Sequence, residues 1–232
     1  MKYFIIAASL LVGFAVLAHA QDTTPDASKI GVDSSQQRLA ELSVNKFEDP
    51  GFWKVSIPLD QGLVTARRFE GSPADKKPLP DDQAVSNEAD KYVLGVKVEY
   101  FGRGNTTISI EPTRPIQLQG ITKLISIWVV GRNFNHMLNV VIEDNFGHRQ
   151  ILPMGKLNFT GWKKLTVAVP PTLEQRNVHY PNLSGVKILG FEIEPELTET
   201  IGTYFVYFDD LRIVTDHFAE ETRDPDDVAD NW

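Results

Sequence analysis

Between Tyr92 and Asp216 no segment sustains an apolar stripe at 3.6-residue spacing, while stretch after stretch carries an apolar side chain at every second position. Leu94, Val96, Val98 and Tyr100 alternate with Gly95, Lys97 and Glu99, and Thr106, Ile108 and Ile110 repeat the pattern up to Pro112. Leu138, Val140 and Ile142 lead into Asp144-Asn145-Phe146-Gly147, a hairpin turn in which glycine takes the left-handed position. Leu165, Val167 and Val169 end at Pro170-Pro171. Leu124–Val130 is apolar in both phases apart from Ser126, which predicts a central strand covered on both faces, with Trp128 in the core. Between Val186 and Ile193 the apolar phase slips by one residue without a turn, the mark of a β-bulge. Short alternating strands broken by Gly, Pro and Asn predict an all-β fold, a two-sheet antiparallel β-sandwich of jelly-roll type.

The ends of the chain read differently. Residues 1–20 carry Lys2, an apolar run from Tyr3 to Leu17 and Ala18-His19-Ala20, the three parts of a secretory signal peptide cleaved after Ala20. Lys2 is the leader's one charged side chain, so export takes the formal net charge from −8 to −9. Residues 21–41 are polar and read as a flexible lead-in with a short helical turn near Gln36–Glu41. One sandwich domain is expected over 42–218, interrupted by a loop at 71–91 that has no periodicity and is a favoured place for a partner contact. Residues 219–232 form an acidic tail ending in Trp232. A chain with no cysteine has neither disulfide scaffold nor thiol chemistry, so packing must hold it. The acidic balance, without a basic face, argues against nucleic acid, and the leader's apolar run is too short for a transmembrane anchor.

Few residues invite chemistry. Asp209 and Asp210 sit in YFVYFDDLRIVTD, where strand alternation would put them on opposite faces. They cannot then converge across a substrate as glycosidase carboxylates do. A structural calcium site is the weak candidate role for either, and pairing with Arg212 or with backbone N–H groups is the plainer one. Glu192, Glu194 and Glu196 share one face and mark a solvent side. His136 and His148 flank the predicted hairpin and would need to meet at its base to hold zinc. Phe134 and Phe146, in turns, and Trp232 are the candidate partner contacts. Sequons at Asn105, Asn158 and Asn182 predict surface loops.

Several blocks are more specific. VLGVKVEYF (93–101), ISIWVVGRNFNHMLNVVIEDNFGHRQILPMGKLNFTGWKKLTVAVPP (125–171), QRNVHY (175–180) and TYFVYFDDLRIVTD (203–216), in this order, resemble the outer-layer (sheath) proteins of spirochaete periplasmic flagella, the FlaA family. A looser similarity reaches carbohydrate-binding or galactose-binding-like jelly-roll modules. The first resemblance implies a periplasmic, non-enzymatic protein that coats a filament core, with flagellin and other sheath proteins as partners and filament shape, stiffness and motility as its effects. It implies no cofactor and no catalytic residue. The second implies a secreted glycan-binding module without catalytic activity. Under either, the Asp pair belongs to the architecture of the last strand.

Overall fold

The computed structural model describes residues 39–79, 90–175 and 185–217. The strands are β1 (Leu39–Asn45), β2 (Trp53–Ser56), β3 (Gly62–Glu70), β4 (Tyr92–Tyr100), β5 (Ile108–Pro112), β6 (Ile116–Gln117), β7 (Ile121–Val130), β8 (Met137–Glu143), β9 (Arg149–Lys156), β10 (Trp162–Ala168), β11 (Lys187–Glu194) and β12 (Gly202–Asp216). A 3-10 turn at Leu197–Glu199 is the single helical element among the described residues. The first sheet runs β10-β7-β12-β4-β3, with β1 also on β12. The second runs β2-β5-β11-β8-β9, with β6 also on β11. All pairings are antiparallel, and the expected sandwich is present.

The alternation decides what lies between the sheets. Leu94, Val96 and Val98 of β4, Ile125, Ile127 and Val129 of β7, and Tyr204, Val206 and Phe208 of β12 join one buried cluster. Ile108 and Ile110 of β5, Leu138, Val140 and Ile142 of β8, and Ile188, Phe191 and Ile193 of β11 belong to the same cluster. Each such side chain contributes about 1.5–3 kcal/mol by leaving water. The slip in β11 is the expected bulge: pairing with β8 shifts between Ile188 and Gly190, where φ is +149° and an added Cβ would lie 2.5 Å from the Ile110 carbonyl oxygen. Only glycine fits there.

β12 organises the first sheet. β7 lies along one edge for nearly its whole length, whereas β4 pairs with Gly202–Phe208 and β1 with Leu211–Asp216. The handover from β4 to β1 leaves residues 209 and 210 without a strand on that edge. At the same place β12 carries one extra residue relative to β7, between Asp209 and Arg212, and Asp210 has φ +51°. The bulge moves the apolar phase from Phe208 to Leu211, so both halves of the strand feed the core.

Some expectations are corrected. β1 begins at Leu39, so Leu39–Glu41 are strand rather than lead-in or helical turn, held by pairing with Val214–Asp216. Trp128 is half-buried on the outer face of β7, because Ile127 and Val129 take the core positions beside it. Gly71 N–H donates to the Lys91 carbonyl at 3.0 Å and closes the base of the long loop, whose first arm packs on the molecule's own first sheet. Asn105 and Asn158 are exposed and outside strands. The leader, most of the lead-in, residues 80–89, Asn182, and the tail with Trp232 lie outside the described residues.

Candidate interaction face

The bulge in β12 carries a cluster of buried charged side chains. Lys76, from the loop arm, donates to Asp209 Oδ2 and to Asp90 Oδ1, both at 2.6 Å. The Asp209 side chain is 0% exposed and that of Lys76 5%. Arg212 Nε lies 2.6 Å from Asp210 Oδ2, and Arg212 Nη2 donates to the Lys77 carbonyl at 2.6 Å. Glu41, 3.7 Å from Arg212 Nη1, also accepts from Lys164 at 2.9 Å. The two aspartates therefore do not point to opposite faces. The left-handed turn at Asp210 brings its carboxylate into the same cluster as Asp209. Burial pushes the Asp209 carboxyl up to about 7 against the pull of Lys76, and burial likewise raises Asp210 against Arg212. Burial works against the Lys76 charge too, but its two aspartate partners outweigh this and hold the ammonium protonated. The positive charge beside the Asp pair is thus supplied by Lys76 and Arg212. Among the described residues no three His, Cys, Asp or Glu side chains are grouped as metal ligands.

His136 and His148 do not meet. Asp144–His148 is the closed end of the β8–β9 hairpin and His136 lies at its open end, with Met137 paired to Lys156, so about 20 Å of strand separates them. His136 is fully buried, its ring against Tyr204 (4.5 Å between centroids), Phe134 (5.1 Å) and Tyr100 (6.5 Å), and its Nδ1 accepts from Glu196 N–H at 3.0 Å. Burial lowers its pKa to about 4 against the pull of Glu199. Being depressed from 6.5, this group contributes stability above that value and loses it as pH falls through about 4. By linkage the change is roughly 3 kcal/mol. Asp209 runs the other way: its raised pKa contributes stability below about 4 that is lost as pH rises through about 7. In the native protein the two act in opposite directions over this range, with the raised Asp210 on the side of Asp209. Asp209→Asn is therefore expected to make stability rise more steeply with pH between about 4 and about 7 than in the native protein, as read by urea unfolding; an unchanged profile would refute the assignment of Asp209, and a variant profile that does not rise would refute that of His136.

Of the turn aromatics, Phe146 is 61% exposed, on a turn fixed by Asp144 Oδ1 accepting from the N–H groups of Phe146 (2.9 Å) and His148 (2.7 Å). Phe134 is not a free ring. Left-handed Arg132 and Asn133 turn it back onto Tyr204 at 4.9 Å and against the core. The Glu192–Glu196 row is occupied locally: Glu192 pairs with Arg149 and Glu194 accepts from Asn139 at 2.9 Å.

Sequence reasoning missed the outer face of the first sheet. Register places Arg67, Gly95, Tyr207 and Val130 in one row across β3, β4, β12 and β7, with Thr65, Lys97 and Phe205 in the next. Phe69 (47% exposed) leans over Gly95, where an added Cβ would lie 2.5 Å from the ring, and meets Tyr207 edge-on at 5.7 Å. Phe205 is 41% exposed, and the Arg132 guanidinium stands 5.3 Å over the Tyr207 ring. The result is a groove of about 300 Å³ walled by aromatic rings, with Arg67 and Lys97 among its lining residues and no carboxylate. Its signal was in the sequence: Tyr204–Phe208 is aromatic or apolar in both phases, so one phase had to face outward.

The family model for "Flagellar filament outer layer protein Flaa" matches residues 17–224. A flagellar filament outer layer-like protein of Brachyspira hyodysenteriae is 34% identical over 212 residues, spanning 91% of this chain and 95% of that protein. A flagellar filament outer layer protein of Spirochaeta aurantia is 29% identical over 119 residues, 47% of this chain and 35% of that one. Among solved structures, a carbohydrate-binding module of the β-sandwich superfamily aligns with 73% of this chain and 60% of its own at 10% identity and a TM-score of 0.48. A family 11 carbohydrate-binding module of a Clostridium thermocellum cellulosomal cellulase aligns with 76% and 95% at 11% identity, with a TM-score of 0.41.

Proposed function

Because the chain belongs to the FlaA family of flagellar filament outer layer proteins, we propose that it is a structural, non-enzymatic subunit of the outer layer of a periplasmic flagellar filament. In this reading it is exported by a leader cleaved after Ala20 and coats a flagellin core beside other sheath proteins, setting filament shape, stiffness and motility. The observation that carries the reading is the family match across residues 17–224. The chemistry of the fold agrees with it. The two carboxylates that most invite catalysis are each held by a cation, Lys76 or Arg212, in a buried cluster. A coat needs heterologous lateral contacts that repeat without closing, and the sandwich offers β3, beyond which no strand pairs among the described residues, an exposed aromatic groove and Phe146 at a turn tip. Among the described residues no helix is long and apolar enough to cross a membrane.

Co-sedimentation tests this. Purified chain, Gln21–Trp232, is expected to pellet saturably with periplasmic filaments stripped of their outer layer and much less with intact ones. Equal recovery in the supernatant with and without stripped filaments would overturn the reading.

A further inference from the structure

We propose that the groove on the outer face of the first sheet receives the acidic segment 218–232 of a second copy of this chain, with Trp232 seated among Phe69, Phe205 and Tyr207. The use of this contact, joining subunits within a coat, rests on the outer-layer reading; the contact itself does not.

The groove and the segment complement each other in two independent ways. The chain is acidic overall, with a formal net charge of −8, yet this groove is lined by Arg67 and Lys97 and by no carboxylate. Arg67 is exposed and makes no ion pair among the described residues, whereas Lys97 is shared with Glu99. Residues 218–232 carry Glu220, Glu221, Asp224, Asp226, Asp227 and Asp230 against the single cation Arg223. Charges of opposite sign are thus concentrated on two separate parts of one chain. The second match is apolar. Beyond Phe218, at the start of the segment, the tail holds one large ring, Trp232, at its far end, and the groove presents the faces and edges of three. At about 300 Å³ the groove is at the low end of the range for ligand pockets, which suits one large side chain better than an extended oligomer. Gly95 gives it its floor, since a side chain there would collide with Phe69 and Tyr207.

Position favours a neighbour's tail over the chain's own. β12 ends at Asp216, nine residues beyond Tyr207, so the exit lies about 30 Å from the groove along the strand. Fully extended, the segment spans about 50 Å, enough to reach. On the same face, however, the loop arm is fastened over that stretch of β12, by Lys76 on Asp209 and by the Lys77 carbonyl on Arg212. The chain's own tail would have to cross or skirt this arm. Among the described residues no strand lies beyond β3, so a tail from another copy can enter across it without meeting this arm. Tail-into-groove contacts are heterologous, and successive ones propagate instead of closing as a two-fold pair would.

Sedimentation velocity on the chain from Gln21 to Trp232, without filaments, tests the proposal. The chain is expected to self-associate with rising concentration, and about 0.5 M salt should weaken the association. Trp232→Ala and Arg67→Glu should each weaken it at least about tenfold; Arg67 is exposed, so its variant should keep the native thermal midpoint. A labelled peptide of residues 218–232 should bind the full-length Trp232→Ala chain by fluorescence anisotropy and lose at least about tenfold in affinity when Arg67→Glu is added. A chain that stays monomeric while the peptide binds would overturn the proposal by assigning the groove to its own tail. Absence of peptide binding, or self-association untouched by Arg67→Glu, would overturn it as well. None of these measurements uses a filament, so the coat reading survives or fails separately.

Discussion

Lys76→Met is expected to cost about 3–5 kcal/mol in equilibrium denaturant unfolding, and adding Asp209→Leu is expected to recover most of that loss. The contrast follows from where the pair sits. Asp209 is fully buried at the edge of β12 that neither β4 nor β1 covers, and its Oδ2 accepts from Lys76 at 2.6 Å while its Oδ1 has no partner among the described residues. Removing the ammonium leaves a carboxylate with neither water nor a cation, so the single substitution suffers the full desolvation of the charge. The carboxyl already titrates near 7 with Lys76 in place, and losing Lys76 pushes it further up. Near pH 5 it would therefore be protonated in the variant's folded state, and the cost of Lys76→Met should shrink there relative to pH 8. Removing both charges replaces an ion pair by apolar contact, which is commonly neutral or stabilising. The loop arm gives a second readout: it is tied down through Lys76 on Asp209 and Asp90. Even where the double variant regains stability, cleavage by protease near residues 71–79 should be faster than in the native protein. A double-mutant cycle returning no coupling between positions 76 and 209 would show that the pair is not the fastening.

That cluster also marks where sequence reading stops. Alternation in Leu94–Tyr100, Leu138–Ile142 and Leu165–Val169 reached the correct core face because a strand's period is fixed at two by backbone geometry. The slip near Gly190 was legible for the same reason, as a break in phase within an apolar run. At Asp209-Asp210 the phase also breaks, from Phe208 to Leu211, but the intervening residues are polar, and rigid alternation assigns them to opposite faces. Their actual grouping depends on a left-handed Asp210 and on Lys76, 133 residues earlier in the chain. No local pattern carries that separation. The groove failed to appear for a related reason. Arg67 and Gly95 are unremarkable within their own strands and join the outward Tyr207 in a row only through the pairing order β3-β4-β12. Phe134 was misplaced because two consecutive left-handed residues, Arg132 and Asn133, reverse the turn, and neither is the glycine that signals such a conformation. In Trp128 the residue type outweighed the phase: a large ring in an apolar strand reads as core, yet Ile127 and Val129 on either side already held the inward positions.

Trp53→Ala is expected to cost about 3–5 kcal/mol, the range for truncating a large buried aromatic side chain, and Trp53→Phe about 1–2 kcal/mol. Trp53 opens the short strand β2 at the margin of the second sheet, yet it is 5% exposed because its ring bridges the two layers. It stacks on Phe47 at 4.8 Å and 22° and meets Phe191 of the second sheet at 5.8 Å, while Phe208 of the first sheet lies 6.4 Å from Phe47 and 6.3 Å from Phe191. These four rings form one apolar plug, and Phe47 reaches it only by taking φ +61° immediately after β1. Asn45 supports both features, since its Oδ1 accepts from Phe47 N–H at 2.9 Å and from Trp53 Nε1–H at 3.0 Å. Alanine at 53 removes a ring from the centre of the stack and leaves a cavity that rigid strands cannot collapse. Phenylalanine keeps much of the stacking and the volume but abandons the Nε1–H bond. Asn45 Oδ1 then retains the Phe47 N–H, so it is not orphaned, and the loss is that of one hydrogen bond plus part of a ring. The ordering of the two variants is the discriminating result. If Trp53→Phe were as damaging as Trp53→Ala in urea unfolding, the Trp53 Nε1–H bond to Asn45 would outweigh the packing. If both were mild, the plug would not be what joins β1 and β2 to the two sheets.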